Sequence, residues 1–169
     1  EEAPKGWRKK FNARIKQMFM RKDERRIKKI LAASGLVHLA PLDIPAVIET
    51  ARPYMSPHLG GEAILTVGSA IQEVASHSGG VIAIGPFGCM PNRLAEALPN
   101  EAMKREDKLA SEPDNPRLRT VLTDVRDLPF LAIESDGSPF PQLIHAKLEA
   151  FCLRAERLHV RMLAARLKN

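Results

Sequence analysis

The sequence predicts an α/β fold: a small parallel sheet with flanking helices, and a long helix at each end of the chain. Three observations carry this. Two short apolar runs, Val81-Ile82-Ala83-Ile84 and Phe130-Leu131-Ala132-Ile133, lack polar alternation and read as strands covered on both faces. Stretches with apolar residues three and four apart lie before, between and after them, the mark of helices with one buried stripe. The resulting order of helix, strand, helix, strand, helix is that of parallel strands joined by crossovers.

The elements follow in order. Residues 7–33 contain no Pro or Gly, and Phe11, Ile15, Met18, Phe19, Ile27, Ile30 and Leu31 recur at helical spacing. This predicts an amphipathic helix with a basic outer face, packing Phe11, Ile15, Phe19 and Ile30 against apolar surface. Ser34-Gly35 supplies its stop. Leu36 to Ala40 is short and apolar, a strand or an extended linker. Asp43 suits the N-cap of a helix running to about Ala51. Gly60-Gly61 opens a helix whose stripe is Ala63, Ile64, Val67, Ala70, Ile71 and Val74, and Ser78-Gly79-Gly80 closes it. After the first strand the pattern is helical from Asn92 to Leu98. Residues 99–117 are charged and hold three prolines, which predicts an exposed excursion. A short helix from Leu118 to Val125 precedes the second strand. The last helix, about Pro141 to Leu167, buries Ile144, Leu148, Phe151, Ala155, Leu158 and Met162. The whole matches part of a Rossmann- or flavodoxin-like sheet.

Residues 1–30 hold twelve basic and four acidic side chains, net +8, while the other 139 hold fourteen and sixteen, net −2. The expected organisation is therefore a basic helical arm, 1–35, and a nearly neutral α/β domain, 36–169. Two cysteines cannot frame a disulfide scaffold, and both read as reduced thiols of a reducing, cytoplasmic compartment. No apolar run approaches the roughly 18 residues of a membrane span, and the charged amino end does not read as a signal peptide. A start at Glu1 is expected of a piece of a longer, multidomain protein.

In open α/β sheets ligands bind beyond the carboxyl ends of the strands. The loops at 85–91 and 134–139 meet that description, and in parallel neighbouring strands they turn Cys89 and Asp136 toward one crevice. Gly85 and Gly88 permit tight turns, Pro86 and Pro91 stiffen the loop, and Cys89 falls at a helix start. Exposed N–H groups and the positive end of the helix dipole favour a thiolate there. A buried, inert cysteine is the bland alternative, at even weight. Cys152, mid-helix beside Phe151, reads as a small core residue. The histidines show no i, i+4 pair, and there is no CxxC, GxGxxG, GxxxxGK[ST] or GxSxG, so the chain alone has no zinc or nucleotide signature. Gly60-Gly61-Glu62 is either an anion-admitting turn or an ordinary cap. The basic arm invites nucleic acid, but no aromatic platform accompanies its charge. A solvated face, or docking on a neighbour or a second copy, fits it better.

The segments Ser56-Pro57-His58-Leu59-Gly60-Gly61-Glu62, Gly85-Pro86-Phe87-Gly88-Cys89-Met90-Pro91 and Ile133-Glu134-Ser135-Asp136-Gly137 together resemble the carboxy-terminal, dehydratase-like part of the large CoA-substrate-specific enzyme activases. These are related to the 2-hydroxyglutaryl-CoA dehydratase and benzoyl-CoA reductase systems. The resemblance covers about Leu36 to Leu158. It implies that Cys89 is one ligand of an iron–sulfur cluster used in ATP-coupled, low-potential electron transfer. It makes Gly60, Gly61, Glu62, Phe87, Gly88 and Asp136 the candidate cofactor-binding residues. The implied partners are upstream domains of the same polypeptide, including an ATPase module, and an acyl-CoA dehydratase-like protein. The family loop usually has Gly where this chain has Asn92. A cubane cluster takes several thiolates, so the remaining ligands would lie outside this chain, which alone would hold no cluster and catalyse nothing. Two alternatives stand beside this reading: a non-catalytic protein-interaction module with a structural Cys89, and nucleic-acid binding through the arm.

Overall fold

The computed structural model describes residues 5–35, 39, 42–59, 61–139 and 141–167. These fall into two compact units divided between Asp43 and Ile44. Gly60, Leu36 to His38 and Ala40 lie outside the described residues, and with them the expected third strand.

The first unit is built on α1 (Lys5–Ala32). It ends where expected, with Gly35 at φ 73° and its N–H donating to Ala32 O. The apolar side chains of α1 are exposed, Phe11, Ile15, Phe19 and Ile30 included. At about 100° per residue, Trp7, Phe11, Ile15 and Met18 form one stripe, and Ile27, Ile30 and Leu31 form another on a different side. No single face can bury both. Trp7 and Phe11 stack with ring centroids 5.6 Å apart.

The second unit contains α2 (Ile44–Ala51), α3 (Ala63–Glu73), β1 (Val81–Pro86), α4 (Met90–Ala102), α5 (Arg105–Ser111), α6 (Pro116–Val121), β2 (Phe130–Ser135) and α7 (Gln142–Leu167). The two strands pair in parallel, in a register running from Val81↔Phe130 to Pro86↔Ser135. The stripe predicted for α3 is buried throughout. With Ala51, Leu118, Leu122, Leu128, Leu158 and Met162 it forms the main core, against which Val81 and Phe130 pack from one face of the sheet. On the other face, Leu131 and Ile133 meet Phe151 of α7, flanked by Ile144, Leu148 and Ala155. Helix α7 thus lays its first half on β2 and sends its second half into the main core.

Four expectations are corrected. The first concerns β1, which is covered on one face only: α7 reaches β2 but leaves Ile82 and Ile84 exposed, the latter by 65%. Second, helix α3 stops at Glu73, before Ser78-Gly79-Gly80. Those glycines serve close packing instead, since a Cβ on Gly79 would come within 2.6 Å of Ala155 O and one on Gly80 within 2.8 Å of Phe151 Cζ. Third, Cys152 is exposed rather than in the core, because Phe151 takes the inward position on that turn of α7.

The fourth correction is the largest. Residues 99–117 are not an exposed excursion: α4 runs on to Ala102, α5 follows, and Ala102, Met103 and Lys108 are buried. Lys108 is fully buried. Its ammonium donates to Ile71 O at 2.7 Å, Gln72 O at 2.8 Å and Glu112 Oε1 at 2.6 Å. Two of these acceptors are carbonyls in the last turn of α3, which need donors and favour a cation. Glu112 in turn accepts from Ser76 Oγ at 2.6 Å and Asn115 Nδ2 at 2.9 Å. Burial holds the Lys108 pKa below the ordinary lysine value, opposed by the hydrogen bond and charge of Glu112. Burial alone would raise the Glu112 carboxyl, but the hydrogen bonds from Lys108, Ser76 and Asn115 outweigh it and leave the carboxyl lowered.

Lys108→Met leaves two helix-end carbonyls and a carboxylate without their donor, and is expected to cost about 3 kcal/mol or more, read from urea unfolding. The same network sets an acid limit. Because the folded-state pKa of Glu112 lies below 4.5, its contribution is complete above that pH and is lost as pH falls through the lowered value. Glu112→Gln should therefore flatten the acid limb of the stability curve below that point, as measured by thermal unfolding at stepped pH.

Candidate functional site

The carboxyl edge of the sheet is built by two loops that leave paired strand ends. Pro86 and Ser135 are register partners, so Phe87-Gly88-Cys89 and Asp136-Gly137-Ser138 depart side by side. The Cys89 N–H donates to Pro86 O at 3.2 Å, closing a tight turn over Phe87 and Gly88. Gly88 takes φ 74°, which a residue with a Cβ adopts only with strain. Cys89 O accepts from Arg93 N at 3.0 Å, which makes Cys89 the residue that opens α4. Its side chain is half-buried. The expected placement at the strand exit and helix start is therefore met.

Asp136 reaches the same edge but is occupied there. Its Oδ1 accepts from Ser138 N at 2.9 Å and from the Ser138 hydroxyl. Those two hydrogen bonds hold its carboxyl below the ordinary value. Ser135 Oγ accepts from Gly137 N at 3.0 Å. Asp136 thus builds its own turn. Phe87 is exposed, 61%, at the tip of the neighbouring loop. Gly61 (φ 98°) and Glu62 lie in the exposed turn into α3. The Glu62 side chain makes no capping bond, while its carbonyl accepts from Leu65 N and Thr66 N.

Three residues missing from the predicted set complete this edge. Asn92, in the first turn of α4, is 6% exposed and lies against Gly85. A Cβ on Gly85 would fall 2.7 Å from Asn92 Cγ, so the glycine is the space that the amide fills. Gly85 pairs with Glu134, whose side chain is only 14% exposed. Arg93 Nε sits 2.8 Å from Glu134 Oε1. That ion pair lacks an aligned N–H···O, so the buried Oε1 has no directed hydrogen bond, and Asn92 Nδ2 has none either. Arg93 and Glu134 tie the first turn of α4 to the end of β2 and so fix the loop carrying Cys89. A sequence signal for Glu134 existed: it is the charged residue that ends an otherwise apolar strand. The Asn92–Gly85 fit had none, because it depends on the crossing of helix and strand.

Chemically, this edge offers one half-accessible thiol at a helix start and a fixed carboxylate–guanidinium pair behind it. Among the described residues no group of three or more His, Cys, Asp or Glu is placed to hold a metal ion. At this edge the chain offers one thiol donor, Cys89.

Gly85→Ala should cost about 1–3 kcal/mol by overpacking. Adding Asn92→Gly should recover at least half of that loss, a coupling read from a double-mutant cycle in urea. Additive effects would show that the two residues do not share the space.

Comparison with family models, with curated proteins and with solved structures finds no match for this chain.

Proposed function

We propose that the chain is an accessory domain of an acyl-CoA dehydratase activase-like protein, presenting Cys89 as one ligand of an iron–sulfur cluster completed by cysteines outside it. The observation that carries this reading is the place of Cys89: half-accessible, at the carboxyl edge of a parallel sheet, opening α4. A bound cluster would supply one-electron chemistry. The residues of this chain would hold one corner of it, with the Arg93–Glu134 pair keeping the Cys89 loop in place. The reading includes a cytoplasmic setting, an ATPase module upstream and an acyl-CoA dehydratase-like partner. Of the described helices, none is long and apolar enough to cross a membrane.

A second reading, a protein-interaction module with a structural cysteine, is favoured by a separate observation. Ile82, Ile84, Phe87 and Met90 are all exposed along β1 and the loop after it.

Anaerobic reconstitution with iron and sulfide separates the two. In the longer protein, Cys89→Ser should lower bound iron while Cys152→Ser leaves it unchanged, with both variants folded by circular dichroism. Equal iron in wild type and Cys89→Ser removes Cys89 as a ligand and leaves the interaction module. Reconstitution of the 169-residue chain alone should give no stable cluster.

A further inference from the structure

A cavity of about 560 Å³ opens at the other end of β2, between α7 and the segment that joins α6 to the strand. Its size falls within the roughly 300–1,000 Å³ of small-molecule sites. Four arginines line it: Arg126 from the joining segment, and Arg154, Arg157 and Arg161 from α7. The three on α7 are three and four residues apart and so share one side of the helix.

The arginines divide into two pairs. Arg154 Nη2 donates to Asp127 O at 3.0 Å and to Leu128 O at 3.2 Å. Arg161 Nη1 donates to Thr123 O. These two hold the backbone of the joining segment and make the wall of the cavity. The guanidiniums of Arg126 and Arg157 have no hydrogen-bond or ion-pair partner among the described residues, although the Arg126 carbonyl accepts from Arg105 N at 2.9 Å. Both are exposed on the rim of the cavity. Asp124 and Asp127 also line it, but neither carboxylate is paired with these two guanidiniums. Met103, Leu128, Pro129 and Phe130 provide an apolar floor.

We infer that this cavity binds a small phosphate ester carrying a flat aromatic ring, of the nucleoside monophosphate class, with Arg126 and Arg157 as its phosphate ligands. A guanidinium offers paired N–H donors that match phosphate oxygens bidentately. Two unpaired ones over an apolar floor are free to turn onto such a ligand, and the wall beside them is already fixed by Arg154 and Arg161, so the ordering cost falls on these two side chains alone. The site is at the opposite end of the strand from Cys89 and does not depend on the cluster reading.

The test is calorimetric titration of the 169-residue chain at low salt with adenosine 5′-monophosphate, adenosine and inorganic phosphate. The monophosphate should bind, and adenosine and phosphate should each bind at least about tenfold more weakly, since each supplies only part of the contact. The double variant Arg126→Gln/Arg157→Gln should weaken monophosphate binding by at least about tenfold with its melting temperature unchanged, because neither side chain bonds within the fold. No binding at millimolar monophosphate would overturn the assignment. So would equal affinity for phosphate alone, or binding unaffected by the double variant, which would place the phosphate on the basic arm.

Discussion

The ammonium group of Lys108 is where the end of α3, the body of α5 and the turn before α6 meet. Each of its three hydrogens has an acceptor, two on α3 and one on Glu112. Glu112 extends the same network to Ser76, in the turn after α3, and to Asn115, which caps α6. An isolated charge at that depth would be prohibitively costly, so the placement of α5 depends on the whole set being present together. With α5 in place, Leu128 N–H can donate to Met103 O, the hydrogen bond that leads the chain back toward β2. The position of the second strand, and with it the parallel sheet, rests on this clip.

How much of this was legible in the sequence depends on what each residue type does when buried. The α3 stripe, the two strands and α7 were readable as elements, because apolar periodicity and β-branched runs mark helix and strand, but the run at β1 did not tell that its outer face is uncovered. The α5 segment was not, because a lysine that satisfies helix-end carbonyls is indistinguishable in sequence from one in water. Charge at 99–117 therefore read as exposure where the structure uses it as internal fastening. The same limit applies to Gly79 and Gly80, which have the composition of a helix stop but serve the approach of α7.

At the carboxyl edge the loop chemistry of Gly88 and Cys89 was legible, since a positive φ and a helix start both leave local signatures. Their surroundings were not. Asn92 fills the space above Gly85, and Glu134 reaches Arg93 from the neighbouring strand. Both relations are set by how α4 crosses the sheet. Asp136 shows the converse: it stands at the strand end that the sequence indicates, and one of its oxygens, Oδ1, is engaged by Ser138.

Strand β1 is paired on one side only among the described residues, and Ile82 and Ile84 are exposed beside its open edge. An uncovered apolar edge is a template for non-native strand addition. The run Val81-Ile82-Ala83-Ile84 is uncharged, free of proline and rich in β-branched residues, the composition that stacks into cross-β assemblies. Handled alone at high concentration, the domain would present this open edge to its own copies. A solubilising substitution belongs at Ile84, the most exposed of the four.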